Sequence, residues 1–213
     1  QQQRCSHEKG HPCPSTRSSS SDPVIRKRTV KSQRRRDGLI QFARNNKSQN
    51  GEDGIIEKIF DLLRVGSDSN ETTNSRWCVD VGAWDGRHLS NTFSLLVPEQ
   101  EKSRDMPRDS WRGVLIEADE ARFQELESLH RPLGNVCVHA TVSGDESSSA
   151  SLVTLLETAQ KEHDLPNDFD FLSIDVDGSD YWILHNILFS KFDPKVVCVE
   201  FNPTMDNDLI YIP

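Results

Sequence analysis

Five short apolar runs, four of which end in or run into an acidic residue, constrain this chain more than any other feature. The runs are Trp77-Cys78-Val79-Asp80-Val81, Gly113-Val114-Leu115-Ile116-Glu117, and residues 136–142, 169–176 and 195–201. The acids are Asp80, Glu117, Asp175 with Asp177, and Glu200. A strand that is apolar throughout must be covered on both faces, which is the condition of a parallel sheet between helical layers. Helical periodicity fills the gaps. Gly54 precedes an apolar stripe of Ile55, Ile56, Ile59, Phe60, Leu62 and Leu63 that is expected to stop at Gly66. Further helices are predicted over residues 89–96, through Phe123, Leu126 and Leu129 before Pro132, through Leu152, Leu155 and Leu156 before Pro166, and over residues 181–189. Alternating strands and helices predict an α/β, doubly wound parallel sheet. Its strands would end on one rim, where such sheets bind ligands. A single terminal acid usually caps a helix, but several on one rim predict a site.

Charge divides the 213 residues in two. Residues 1–50 hold 12 Lys and Arg against 3 Asp and Glu, and the remainder holds 13 against 31. The first 46 residues include four consecutive serines at 18–21 and the basic clusters Arg26-Lys27-Arg28 and Arg34-Arg35-Arg36. With so little apolar surface to bury, they are expected to form a disordered tail ahead of a domain over residues 47–213. A nuclear-import or polyanion-binding role for the basic clusters is weaker than that of a solvated linker. The acidic domain repels phosphate backbones, so nucleic acid is not its expected partner. Residues 67–75 and the charged stretch 98–110, with Pro107, are predicted loops. Cys78, Cys137 and Cys198 fall inside apolar runs, as reduced core thiols do, which suits an intracellular, cytoplasmic setting. No apolar run approaches the ~20 residues that span a bilayer. The chain begins Gln1-Gln2-Gln3 without an initiator methionine, so a preceding segment is expected.

The first run leads straight into Asp80-Val81-Gly82-Ala83-Trp84-Asp85-Gly86. Its glycines permit a sharp bend and close backbone approach to a ligand. A dinucleotide site would need G-x-G-x-x-G feeding pyrophosphate to a helix N-terminus; that spacing is absent, and Asp85 would repel the phosphates. An acid in the loop tolerates the cationic methionine end of S-adenosylmethionine, which is the expected cofactor. Glu117 is placed to accept hydrogen bonds from paired ribose hydroxyls, its alternative being to cap the helix that begins near Asp119, and Asp119 is a second candidate. Residues 141–144, Val142 among them, would border the adenine.

The segments Ser48-Gln49-Asn50-Gly51-Glu52-Asp53-Gly54, residues 80–86, 111–117 and 169–178 resemble those of the FkbM-type methyltransferases. The resemblance extends over residues 48–203. It implies a Rossmann-like class I methyltransferase fold, with Asp80, Gly82 and Gly86 in the cofactor loop, Glu117 on the ribose, and Asp175-Val176-Asp177-Gly178 bordering the acceptor. The chain departs from the family pattern at Trp84, where a small residue is common, and at Asp177, where Glu is common. The chain ends soon after the fifth run, so the final antiparallel strand pair of many class I enzymes is expected to be missing.

Methyl transfer needs mainly correct placement of acceptor and methyl. Asp175 is the expected acceptor-positioning group, with Asp177 or His88 as proton acceptor, although His88 also suits a helix surface. The acceptor is expected to be an oxygen or nitrogen of a small molecule, glycan or lipid. The acids of Asp175-Val176-Asp177-Gly178-Ser179-Asp180, with Glu200 and Asn202, could hold a divalent cation, but an EF-hand fails for want of its distal Glu, and metal is not favoured. His7-Glu8-Lys9-Gly10-His11 matches a zinc-protease motif, yet Gly10 and Pro12 break the helix it requires. Cys5, His7, His11 and Cys13 lack the apolar neighbours of a zinc mini-domain. Tyr181 and Trp182 suit a core helix turn better than an acceptor pocket. The rival reading is a catalytically silent cofactor-binding or scaffold module whose basic tail recruits a partner.

Overall fold

The computed structural model of the chain describes residues 38–63, 76–97 and 111–201. The basic tail up to residue 37, with its His and Cys motifs, lies outside the described residues, as do Gly66, the stretches 67–75 and 98–110, and residues 202–213. Five strands form one parallel sheet: β1 (Arg76–Val81), β2 (Trp111–Glu117), β3 (Val136–His139), β4 (Phe171–Ile174) and β5 (Val196–Val199), in the order β3-β2-β1-β4-β5. The helices are α1 (Glu52–Leu63), the single-turn α2 (Phe93–Leu96), α3 (Glu120–His130), α4 (Leu152–His163) and α5 (Asp180–Leu188). The chain is thus an α/β protein with the expected all-parallel, Rossmann-like sheet.

Apolar strands are covered on both faces, as the sequence requires. On one face Val79, Val81, Val114, Ile116, Leu172 and Ile174 pack against Leu152 and Leu156 of α4 and Ile183 and Ile187 of α5. On the other, Cys78, Leu115 and Phe171 meet Ile56 and Phe60 of α1, Leu96 of α2 and Leu126 of α3. Phe60 meets the Phe171 ring edge-on at 5.9 Å. Each fully buried Leu, Ile or Phe of these layers contributes ~1.5–3 kcal/mol. Asp119 caps α3 by accepting from the Arg122 N–H, and Ser151 caps α4 by accepting from the Thr154 N–H. Among the described residues, no helix is long and apolar enough to cross a membrane.

The structure departs from the sequence reading in three places. The helix expected over residues 89–96 shrinks to Phe93–Leu96. Leu89 takes φ +56°, and the Ser90 hydroxyl accepts from the backbone N–H groups of Thr92 and Phe93, so local side-chain bonding competes with helix upstream. Order also begins earlier than Ser48. Residues 39–42 form a 3-10 turn, and Asp53 Oδ2 accepts from the N–H groups of Asn46, Lys47 and Ser48 and from the Ser48 hydroxyl. Burial of Asp53 acts to raise its pKa, but the bonds from Ser48, Asn46 and Lys47 outweigh it and hold the carboxyl below its ordinary value. Its other oxygen accepts from Ser94 Oγ at 3.0 Å, tying α1 to α2. The third, fourth and fifth strands are each shorter than their apolar runs, and residues 140–142 and 175–176 of the third and fourth runs pass into the loops that line the crevice.

Candidate functional site

The strand order reverses direction between β1 and β4, since β2 and β3 lie on one side of β1 and β4 and β5 on the other. Loops leaving neighbouring strands at such a point diverge to opposite faces and open a crevice. Here it measures about 290 Å³. Its walls come from four strand ends: Gly82 and Trp84 after β1, Glu117 and Ala118 at β2, residues 140–142 after β3, and Asp175, Val176, Asp177 and Ser179 after β4.

Gly82 lets the crevice exist. Its φ is +81°, and a Cβ there would overlap the carbonyl oxygen of Asp175. Gly82 and Ala83 both donate from their N–H groups to the Ile116 carbonyl at 3.0 Å, which folds the loop back over β2. Trp84, at φ +52°, then donates its N–H to Glu117 Oε2 at 2.8 Å. The other oxygen of Glu117 accepts from the Asp119 N–H at 2.8 Å. Glu117 is 7% exposed, and its carboxylate is fixed on both oxygens and keeps further acceptor sites toward the crevice. Trp84 keeps half its surface exposed, and the Arg122 guanidinium lies 4.7 Å from its ring centre.

The opposite wall is acidic. Asp180 accepts from the Val176 and Gly178 N–H groups, both at 3.0 Å, and so closes the turn that carries Asp175 and Asp177. Asp177 sits at φ +52° in that turn. Asp175 and the Glu200 side chain interact directly across this wall. Burial raises the pKa of Asp175, the bond from Glu200 opposes it, and the charges of Asp180 and Asp177 raise it further.

The residues picked from sequence separate into two groups. Gly82, Trp84, Glu117, Val142, Asp175 and Asp177 line the crevice. Asp80, Ala83, Asp85, Gly86, His88 and Asp119 do not. Ala83 is buried beneath the loop. Asp119 serves as the α3 cap. Asp85 accepts from the N–H groups of Arg87 and His88 and faces, with Arg87, an open depression beside α3. His88 is exposed in that same turn and away from the crevice lining. Gly86 packs against His130, and Gly144, expected near an adenine, packs against Trp182 instead. Trp182 and Tyr181 are exposed rather than core. Among the described residues no group of three or more His, Cys, Asp or Glu is arranged to hold a metal ion.

Asp80 is buried under the site, where its Oδ2 accepts from the Thr92 hydroxyl at 2.6 Å. Burial pushes its pKa up to about 6, the Thr92 hydroxyl resists, and the Asp175 and Glu117 charges add to the rise. The folded chain therefore binds this proton more tightly than the unfolded chain. The resulting stabilisation is full below the ordinary value of 3.8 and is lost as pH rises through about 6. Asp80→Asn keeps an acceptor for Thr92 without a charge. It is expected to exceed the wild type by about 2–3 kcal/mol in urea unfolding at neutral pH, and to lose that advantage in acid. An equal gap at both ends of the range would contradict this.

Sequence reasoning missed Thr92, Ser173 and Asn91. Asn91 Nδ2 donates to Ser173 Oγ at 3.2 Å, and Ser173 and Thr92 both reach Asp80. Their only sequence signal was a polar residue within an apolar run, at Ser173. No curated protein matches this chain. The family model for the methyltransferase FkbM domain matches residues 138–210, which takes in the walls after β3 and β4 and leaves the β1 loop and Glu117 outside it. Residues 138–210 thus match the FkbM methyltransferase domain family, on a parallel α/β sheet with an acid-lined crevice at its switch point, and the match supports a methyltransferase.

Proposed function

We propose that the chain binds S-adenosylmethionine in the crevice between the β1 and β4 loops and transfers its methyl group to an oxygen or nitrogen acceptor. The observation that carries this reading is the Glu117 carboxylate at the end of β2, anchored by two backbone N–H groups with acceptor capacity left facing the crevice. A vicinal diol such as a ribose would complete it. The apolar side chains of Ile116, Ala140 and Val142 offer a flat ring somewhere to rest.

When bound, S-adenosylmethionine supplies an electrophilic methyl group on a sulfonium. The protein's part is to hold the acceptor in line with it and to exclude water. Asp175 stands at the acceptor side. Its raised proton affinity, set by burial and by the charges of Asp180 and Asp177 against the opposing bond from Glu200, equips it to take a proton from a hydroxyl or ammonium. The carboxyls of Asp175 and Asp177 on one wall, with the charges of Asp180 and Glu200 nearby, disfavour acceptors that carry phosphate or carboxylate, and favour hydroxyls and amines. A small molecule, glycan or lipid with such a group meets that requirement.

Asp175→Ala removes the proton acceptor and leaves the Asp175 backbone, on which Gly82 packs, in place. It is expected to keep S-adenosylhomocysteine affinity within about threefold in calorimetric titration. Release of S-adenosylhomocysteine from S-adenosylmethionine, with polyol and amine acceptors, should fall about a hundredfold. Lost affinity with turnover preserved would contradict the assignment.

A further inference from the structure

The turn that carries Trp84 is gripped from behind by a buried histidine far away in sequence. His130, the last residue of α3, is fully buried. Its Nε2 lies 2.8 Å from the Gly86 carbonyl oxygen, and its Nδ1 lies 3.1 Å from Asn135 Nδ2. Asn135 Oδ1 accepts from the Gly113 N–H at 2.8 Å, near the start of β2. These contacts fix every proton in the chain. Gly113 can only donate, so Asn135 turns its oxygen that way and its amide N–H toward His130. Nδ1 must then be the bare nitrogen, and Nε2–H donates to Gly86. Burial lowers the histidine's pKa, the Gly86 bond opposes that, and Arg87 adds to the lowering while Asp85 resists, so the neutral ring is retained.

Gly86 in turn donates its N–H to the Ala83 carbonyl at 2.8 Å and closes the turn. The turn is therefore held on two sides: Glu117, at one end of β2, takes the Trp84 N–H, and the His130–Asn135 pair, anchored at the other end, takes the Gly86 carbonyl. The fit is close. A Cβ on Gly86 would lie 2.5 Å from the His130 ring. An apolar residue at position 130 would fill space but leave the Gly86 carbonyl without its donor.

We infer that His130 is a positioning residue: through its Nε2–H bond to Gly86 it sets the loop that forms the Trp84 side of the crevice, and so sets ligand affinity. This rests on the reading of that crevice as the S-adenosylmethionine site. Glutamine can place an amide N–H where Nε2–H stood, whereas asparagine reaches only the Nδ1 position. Calorimetric titration of the full chain with S-adenosylhomocysteine should therefore show His130→Gln within about threefold of wild type, and His130→Asn and His130→Ala about tenfold or more weaker. Equal loss in all three, or none, would overturn the inference. If the variants fail to fold, ¹⁵N NMR of the wild-type imidazole decides: the neutral Nε2–H tautomer is expected, and the Nδ1–H tautomer would overturn it. A wild-type chain that takes up no S-adenosylhomocysteine defeats the crevice reading, while the tautomer still decides whether His130 holds the loop.

Discussion

Gly82→Ala is expected to cost about 4 kcal/mol or more of folding stability, enough to leave a marginal domain largely unfolded. A left-handed backbone at φ +81° accounts for about 1–2 kcal/mol of that for any residue with a Cβ. The larger part is steric. The new methyl would overlap the Asp175 carbonyl oxygen and lie 2.9 Å from its carbonyl carbon, and neither belongs to a flexible side chain. The ends of β1 and β4 would have to separate, straining the bond from the Asp175 N–H to the Val81 carbonyl and those from Gly82 and Ala83 to Ile116. Gly134→Ala supplies the control. Gly134 has φ +84° but nothing within 4 Å of its Cβ position, so only the backbone cost of about 1–2 kcal/mol applies. Urea unfolding of the two variants separates conformational from steric cost; comparable losses would show that the approach of β1 to Asp175 is not as described.

Replacing Glu117 should have the largest effect on ligand binding. Glu117→Ala removes the proposed diol acceptor and also frees the Trp84 and Asp119 N–H groups, so both the contact and the loop that frames it are lost. Hydrogen bonds to a charged group contribute ~1.5–3 kcal/mol each, so S-adenosylhomocysteine affinity should fall about a hundredfold or more. Glu117→Gln is nearly isosteric but is not expected to rescue. Each carboxylate oxygen faces a backbone donor, so the amide NH₂ must oppose either Trp84 or Asp119 whichever way it turns. A glutamine variant that binds as the wild type does would contradict both the diol contact and the loop anchoring assigned to Glu117.

The sheet was readable from sequence because its signal is local: apolar runs of strand length, broken by glycine, proline and helical periodicity. The same logic placed Gly82, Glu117 and Asp175 on one rim, since each lies at or just beyond the end of such a run. It could not separate residues that face the crevice from neighbours turned away. Asp80 and Asp85 belong to the same glycine-containing segment, yet Asp80 points beneath the sheet rim to Thr92 and Asp85 closes its own turn. Which way each points depends on positive φ values at Gly82, Trp84 and Gly86, and those are set by packing against Asp175, Glu117 and His130. The helix misread over residues 89–96 has a similar origin. Its apolar spacing is genuine, but the hydroxyls of Ser90 and Thr92 bond locally, and Thr92 also bonds Asp80 in the core, which no window of sequence contains. His130 was invisible because its partner Gly86 is 44 residues away.

The account stands or falls on where the ribose goes. A crystal structure of the chain with S-adenosylhomocysteine is predicted to place both ribose hydroxyls about 2.6–3.0 Å from the Glu117 carboxylate, with the ring system against Val142. Ligand bound elsewhere, or in the crevice with its ribose turned away from Glu117, would contradict it.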